Sequence, residues 1–481
     1  MSLIYYLHQY VKTNHFTFFL FIFLMILPFF KTIPWPVASA RKRLCFIILL
    51  GLILRMAWLG FSSYTPQTAW THGHMLESDI TNIHALEMTK GIWFHGMNGE
   101  PIARRPIGYP LALGLIYKIF GPHVWAAYLF NVSLYVLTAI FIFLIGRTLF
   151  NSRLGLLAVF LFAVYPISIY SVKMMTDEHL FLPLWFGGLY LLFLEIKGRS
   201  VPWALLWYGL IFGYATMVRT NTIFMPFVVA LAYFLLKFNW KKIIISFATV
   251  LVLMQALNLP WIARNYKIWG VPMLYTASVC YVYSRVNSSA TPEGAGRIPL
   301  RGEPGFSEEL ERASGNPALY DAICKRLMQK WMIEHPKEFV SLGTKRLLNF
   351  MCWNRAGVWP IWFQYYTGSF DPARPLSQGL RDFFEEISYA YYYILFFVFL
   401  FAVFLLIKRW KKLEGSARNC LWILWSCFFF WFLQHMIIYP DRKYRFPLEV
   451  LMMLVACYFL EHWMFNARWK IPGKKLTLGR R

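Results

Sequence analysis

The sequence predicts an all-α protein: a polytopic transmembrane helical bundle of about eleven spans, with a small outer-face cap of short helices and loops. Three observations carry this prediction. The 481 residues are 58% hydrophobic and 15% charged, whereas soluble chains are about 45–50% apolar and about 25% charged. The apolar residues form blocks close to the roughly 20 residues that a helix needs to cross about 30 Å of hydrocarbon. Finally, the basic residues gather in alternate loops, as they do on the inner side of a membrane.

The apolar blocks give the individual spans. They fall near 15–30, 44–62, 123–145, 153–172, 178–196, 202–218, 222–237, 243–260, 387–407, 420–438 and 446–463. The first block is short and ends at Pro28. We expect it to be a retained helix, because the small residues that could form a signal-peptide cleavage site lie too far beyond it and are followed directly by basic residues.

The loops sort by charge into two sides. Six basic segments share one side: Lys31 to Arg43, Arg147 to Arg153, Lys197 to Arg199, Lys237 to Lys242, Lys408 to Arg418 and Arg468 to Arg481. The positive-inside rule places them in the interior, with the N-terminus outside and the C-terminus inside. The net charge of +25 is thereby explained by topology, and nucleic acid is not expected as a partner.

Two longer segments fall on the outer side. Residues 63–122 form the first outer loop and include the apolar stretch Tyr109 to Phe120, which is too short to span and is expected in the interface. Residues 261–386 form the cap, with a Gly/Pro/Ser-rich loop followed by two short helices that break at His335-Pro336. We therefore divide the chain into an N-terminal transmembrane module (1–260), the cap (261–386) and C-terminal helices with a basic tail (387–481).

Ionisable residues at the outer helix ends are the functional candidates, because charge at a membrane face is costly. They are the acids Asp79, Asp177 and Glu178 and the cations Arg105, Arg219, Arg264, Lys443 and Arg445. Arginine and lysine suit a phosphate, and a carboxylate can take the proton of an attacking hydroxyl. Simpler roles stay open. Asp79 could cap a helix, Glu178 could favour a helix dipole, and Lys443 and Arg445 could snorkel to headgroups.

Metal and disulfide sites are not indicated. His72 and His74 form a candidate pair, but no decisive third ligand accompanies them. The sequence requires no cofactor, and a divalent metal is unsupported. The seven cysteines show neither CxxC nor regular spacing, so we do not expect a disulfide framework.

Short motifs, in order along the chain, give a resemblance to a known family. They are Asp79-x5-Ala85-x5-Gly91, Arg105-Pro106-x-Gly108-Tyr109-Pro110, Thr176-Asp177-Glu178, Gly213-x5-Arg219, Pro260-Trp261-x-x-Arg264-Asn265-Tyr266, Ile333-Glu334-His335-Pro336-x-x-Phe339 and Tyr444-Arg445-Phe446-Pro447. The ordered set resembles the GT-C superfamily of membrane glycosyltransferases, in particular bacterial relatives of protein O-mannosyltransferases and of the lipid A aminoarabinose transferase. One departure is Glu77-Ser78-Asp79, where the family often reads Asp-Glu.

The resemblance implies an inverting transfer of a sugar from a polyprenyl-phosphate donor to an acceptor hydroxyl. The acceptor would be a glycolipid, lipopolysaccharide or protein at the outer face of a bacterial inner membrane. Asp79 would be the base, Asp177 or Glu178 the second acid, and Arg219, Arg264 and Arg445 the phosphate ligands. A carrier-lipid glycan ligase or polymerase is the nearer alternative. A transporter is less favoured, because the sequence shows no two related halves.

Overall fold

The computed structural model of the chain describes most of the apolar blocks and part of the cap. The described residues are 39–62, 64–69, 77–96, 98–103, 105–270, 272, 274, 282–292, 297–303, 305–313, 316–352, 378–437 and 442–461. Within these ranges the fold is helical, and the one β-type contact is an isolated bridge between His95 and Pro101. The all-α prediction is confirmed.

The described residues form sixteen α-helices. They are α1 (Ala40–Phe61), α2 (Glu77–Thr89), α3 (Gly108–Phe120), α4 (Val124–Leu149), α5 (Ser152–Ala163), α6 (Pro166–Tyr170), α7 (Asp177–Ile196), α8 (Ala204–Val218), α9 (Met225–Leu235), α10 (Trp240–Trp269), α11 (Glu308–Arg312), α12 (Pro317–Glu334), α13 (Pro336–Cys352), α14 (Gln378–Arg409), α15 (Gly415–Ile437) and α16 (Phe446–Glu461). Short 3-10 turns precede α9 and α16.

The helices coincide with the predicted apolar blocks from residue 44 onward. Six of the described helices are long and apolar enough to cross a membrane, and a seventh crossing results if α5 and the following 166–173 segment, bent by 55°, are counted as one span. The block at 15–30 lies outside the described residues, and the count of eleven stays a prediction. The chain is a multi-pass membrane protein.

Side-chain caps and prolines set several of these helix boundaries. Asn151 and Asn239 accept hydrogen bonds from the backbone N–H groups of Leu154 and Lys242, and so begin α5 and α10. The break after α5 precedes Pro166, which favours a fresh helix start because it lacks the N–H that an interior position would use. α10 ends at Gly270, whose φ of 73° suits glycine.

Two boundaries differ most from the sequence prediction: α14 begins at Gln378 rather than near 387, and α10 ends later than predicted. The span predicted to end at residue 260 continues as α10 to Trp269, with Pro260 inside it. Arg264 and Asn265 therefore lie on a helix rather than in a loop. A proline is tolerated in a membrane helix when neighbouring groups satisfy the freed carbonyl.

The predicted inner loops meet at one end of the bundle. Lys197 Nζ lies 3.1 Å from a carboxylate oxygen of Glu414, which joins the loop after α7 to the loop after α14. Asn151 donates a 2.8 Å hydrogen bond to Glu461 at the end of α16. The elements that we assigned to one side by charge are thus in contact, as a single membrane face requires.

The cap contains the two predicted helices, α12 and α13, separated at His335. Tyr283, Leu310, Ile323 and Cys324 form its small buried core. Cys324 is disulfide-bonded, while Cys45, Cys420, Cys427 and Cys457 in the helices of the bundle are free. The cysteine spacing did not indicate this disulfide, because irregular spacing in sequence does not prevent two cysteines from meeting in space.

Candidate active site

Asp79 is the third residue of α2 and is fully buried. Its Oδ1 accepts hydrogen bonds from the Tyr64 hydroxyl at 3.1 Å and from the Gln67 backbone N–H at 3.0 Å. Burial, with the nearby Asp79 charge, raises the pKa of Tyr64 well above its usual value, so Tyr64 keeps its proton and donates. These bonds fix the orientation of the carboxylate.

A second acidic segment lies directly beside Asp79. The backbone N–H of Met175 donates a 2.8 Å hydrogen bond to the Ser78 hydroxyl. The amide nitrogen of Asn131 donates to the carbonyls of Val172 and Met174, both at 3.0 Å. The start of α7, with Asp177 and Glu178, is consequently held next to the start of α2.

Glu178 and Arg219 form a buried ion pair. One Arg219 Nη lies 3.0 Å from Glu178 Oε1, and the two side chains are 5% and 6% exposed. Arg219 is the residue that ends α8. Gly108 packs closely there, because a Cβ on it would lie 2.6 Å from the Val218 backbone nitrogen. The described partners of Arg219 account for one of its five N–H donors.

Arg445 is enclosed on several sides. Its Nε donates a 2.6 Å hydrogen bond to Glu449, and one Nη donates to the carbonyl of Phe350 at 2.5 Å. Its guanidinium lies 3.6 Å from the centre of the Tyr392 ring, and Glu449 also accepts from the Tyr165 hydroxyl. Arg445 thereby connects α16 to the end of α13 in the cap.

These residues are linked by a series of contacts at one end of the bundle. Ser78 bonds to Met175, Glu178 pairs with Arg219, and the Arg219 guanidinium lies 5.1 Å from the Tyr444 ring, next to Arg445. The predicted group of Asp79, Glu178, Arg219 and Arg445 is thus brought to one region. We call the region around these four side chains the membrane-face site.

Arg264 lies in a different environment. Its two Nη atoms donate to the carbonyls of Trp93, Phe94 and Ile102 at 3.1–3.2 Å, and its guanidinium stacks 4.4 Å from the Trp261 ring. Arg264 thus connects α10 to the loop between α2 and α3 through hydrogen bonds. Its described contacts are those of a residue that positions the first outer loop, and the phosphate role stays a prediction.

Arg105 lies near the buried ring of His84. Burial lowers the pKa of His84 to about 4, and the positive charges of Arg105 and His95 add to the shift. The Glu87 carboxylate, 3.4 Å from His84 Nδ1, opposes the shift without reversing it. His84 is therefore a neutral ring at pH 7.

Three predicted candidates cannot be placed at the site. His72 and His74 lie outside the described residues, as does the side chain of Lys443. Within the described part of the chain, no group of three His, Cys, Asp or Glu side chains is arranged to hold a metal ion.

Sequence reasoning missed the polar residues that hold the acids in place. Tyr64, Asn131 and Glu449 are buried, and each makes a hydrogen bond to a site element. An Asn in the middle of an apolar block and a Glu four residues after Arg445 were available signals, since buried polar groups in membrane helices are costly. Tyr64 carried no such signal, because tyrosines are common at membrane interfaces.

Part of the chain matches a known protein family. Residues 104–262 match the family described as dolichyl-phosphate-mannose-protein mannosyltransferase. The resemblance predicted from the sequence is thus supported by a family match over residues 104–262. The matched segment includes Asp177, Glu178 and Arg219, and ends just before Arg264.

Solved structures show similarity at low sequence identity. The archaeal oligosaccharyltransferase AglB from Archaeoglobus fulgidus, in complex with an inhibitory peptide and a dolichol-phosphate, is 13% identical, with a TM-score of 0.48 over 92% of this chain and 52% of that one. ArnT from Cupriavidus metallidurans, bound to undecaprenyl phosphate, is 13% identical, with a TM-score of 0.42 over 89% of this chain and 78% of that one. This chain thus spans about half the length of the archaeal enzyme. Among curated proteins, none matches the chain.

Proposed function

We propose that the protein is an inverting glycosyltransferase that moves a sugar from a polyprenyl-phosphate donor to an acceptor hydroxyl. The observation that carries the proposal is the series of contacts at one end of a membrane bundle: Ser78, next to Asp79, bonds to Met175 before α7, and Glu178 in α7 pairs with Arg219. The family matched by residues 104–262 is named for a dolichyl-phosphate-linked sugar donor, which agrees with a cation at this position.

The proposed reaction is a single displacement. The acceptor O–H gives its proton to the Asp79 carboxylate, and its oxygen attacks the anomeric carbon from the side opposite the phosphate. The bond between that carbon and the phosphate oxygen breaks, and its electron pair stays on the phosphate. Arg219 stabilises the charge that develops there, while Glu178 holds the guanidinium in place. Because no covalent enzyme intermediate forms, the configuration inverts.

The other predicted cations are given supporting roles. Arg445 donates to Glu449 and to the carbonyl of Phe350 in the cap, so we propose that it positions α16 and the cap at the membrane-face site. We propose that Arg105 and Lys443 supply further positive charge for the phosphate. The N-terminal module (1–260) would supply the acids and Arg219. The cap (261–386) would cover them, and the C-terminal helices (387–481) would supply Arg445.

We propose further that the site faces the outside of a bacterial inner membrane. Two observations support this orientation. The basic loops meet at the opposite end of the bundle, where the positive-inside rule places the cytoplasm. Cys324 in the cap is disulfide-bonded, and disulfides persist in oxidising compartments outside the cytosol.

The test is a mass-spectrometric comparison of envelope glycolipids and glycoproteins. Cells lacking the gene would be complemented with the wild type, with Asp79→Asn, or with Glu100→Gln as an exposed acid of the same loop. We expect the deletion to remove the mass of one sugar residue from the acceptor. The wild type and Glu100→Gln would restore it, and Asp79→Asn would reduce transfer by about a hundredfold or more.

Two outcomes would contradict the proposal. Full restoration by Asp79→Asn would remove this carboxylate from the mechanism. Loss of a whole oligosaccharide rather than one sugar would favour the alternative, a carrier-lipid glycan ligase or polymerase.

A further inference from the structure

The cap contains an open cleft of about 640 Å³ between the start of α13, the end of α12 and the segments around residues 283–290 and 305–306. We call it the cap cleft. Among its lining residues, Trp331, His335, Glu334 and Glu338 bring aromatic and acidic side chains together. A volume of several hundred Å³ is in the range that small-molecule sites occupy. None of the residues of the membrane-face site lines it.

The wall of the cap cleft is fixed by its own hydrogen bonds and packing. Asn287 donates to the carbonyls of Tyr283 and Arg297, at 2.8 and 3.0 Å, and accepts from the Ser289 backbone N–H at 2.7 Å. Tyr283 packs into the cap core beside the disulfide-bonded Cys324. A cavity that is already ordered costs little conformational entropy when a ligand binds.

The polar groups at its mouth favour hydroxyl donors. Glu334 and Glu338 are exposed carboxylates, and a carboxylate accepts hydrogen bonds only. Lys330 lies 3.8 Å from Glu334, so the acidic charge of the mouth is partly balanced, and a strongly cationic ligand gains little there. The Trp331 and His335 rings, with centroids 5.7 Å apart and planes inclined by 36°, offer aromatic faces. A ligand with one apolar face and many hydroxyls suits this combination, and this is the chemistry of a sugar.

The cap cleft is connected to the membrane-face site by one helix. Glu338, near the start of α13, lines the cleft, while Phe350, near its end, accepts the hydrogen bond of Arg445. At about 1.5 Å of rise per residue, these two positions are roughly 18 Å apart. That distance exceeds one sugar ring. An occupant that also reaches Asp79 is therefore extended.

We propose that the cap cleft binds the distal sugars of an oligosaccharide-bearing acceptor, whose reacting hydroxyl lies in the membrane-face site. This inference rests on the proposed glycosyltransferase function and names the acceptor class. The cleft acts as a positioning site. It raises the occupancy of the acceptor and does not touch the reacting atoms.

The experiment is a binding measurement that does not depend on transfer. The full-length protein in lipid nanodiscs would be applied to a printed array of neutral and acidic oligosaccharides, with spermidine binding measured in parallel as the cation probe. We expect the wild type and Asp79→Asn to bind the same oligosaccharides. Trp331→Ala would bind them about tenfold more weakly because the stacking surface is lost. Lys325→Ala, an exposed change on the same helix that does not line the cleft, would bind as the wild type.

Glu338→Gln gives a second variant that changes only an exposed side chain and keeps the cap folded. It would weaken the same oligosaccharides by a smaller factor than Trp331→Ala. The proposal is overturned if no oligosaccharide on the array binds, if Trp331→Ala and Glu338→Gln bind as the wild type does, or if spermidine alone binds. Loss of transfer in Asp79→Asn with oligosaccharide binding retained would separate the two sites. Binding without any transfer activity in the wild type would instead count against the proposed function.

Discussion

Two ion pairs of equal length illustrate how differently charge is used in the membrane-face site and in the cap. Arg219 and Glu178 lie 3.0 Å apart with side chains 5% and 6% exposed, and Arg312 and Glu308 lie 3.0 Å apart with side chains 80% and 62% exposed. In water the exposed pair gains little, because solvent screens both charges. The buried pair has lost its hydration, so each partner depends on the other.

The difference shows that Arg and Glu side chains orient one another where they are buried in the membrane-face site. On the exposed surface of the cap the same residue types contribute little to structure. In the site, Asp79, Glu178 and Arg445 are each held by at least one hydrogen bond from a different helix or loop. In the cap, the ion pairs join residues on its exposed surface, while Trp331 and His335 line a cavity instead.

The buried pair should give the largest change in stability. Arg219→Ala leaves Glu178 buried without its described partner, so we expect the protein to lose about 3–5 kcal/mol of stability together with donor use. The double variant Glu178→Gln with Arg219→Gln should recover part of the stability, because no charge stays buried, but none of the transfer. Thermal unfolding in nanodiscs and a donor-turnover assay measure the two effects. Recovery of transfer in the double variant would exclude the phosphate role of Arg219.

A smaller change in stability is expected from the buried His84 in the first outer loop. The pKa of His84 is lowered to about 4 by burial, below the value of about 6.5 of an exposed ring. Between about pH 6.5 and pH 4, His84 is protonated in the unfolded chain but neutral in the folded chain. The stability of the fold therefore falls as the pH drops through this range. The loss is at most on the order of 3 kcal/mol.

Thermal unfolding between pH 7 and pH 4 measures this term. His84→Gln should flatten the acid dependence, whereas His123→Gln, an exposed histidine at the start of α4, should leave it as in the wild type. An unchanged acid loss in His84→Gln would assign the pH dependence to other groups.

The exposed pair should give the smallest effect. Arg312→Ala is expected to change the free energy of unfolding by at most about 0.5 kcal/mol, since exposed i,i+4 pairs contribute about that much. The same thermal measurement applies, at low and at high salt. A loss comparable with that of Arg219→Ala would show that burial does not decide the value of these pairs, and would remove the contrast between the two regions.

The sequence predicted most of the secondary structure, because the bilayer imposes a long apolar block on every span and a charge rule on every loop. The observed bounds of α4 and α7 and the break between α12 and α13 agree closely with the sequence prediction. The end of α10 did not, since a proline stops a helix only where its freed carbonyl stays unsatisfied, and that depends on neighbours in space.

By itself, the sequence determined the class of protein, the side on which the charged loops meet and the identity of the charged candidates. Tertiary structure alone decided that Glu178 rather than Asp177 pairs with Arg219, that Arg264 holds the first outer loop, that Cys324 is disulfide-bonded and that the cap encloses a cleft. The physical reason is range. Hydropathy and charge act on each segment locally, whereas the partner of a buried charge depends on which distant helix ends the fold brings within about 3 Å.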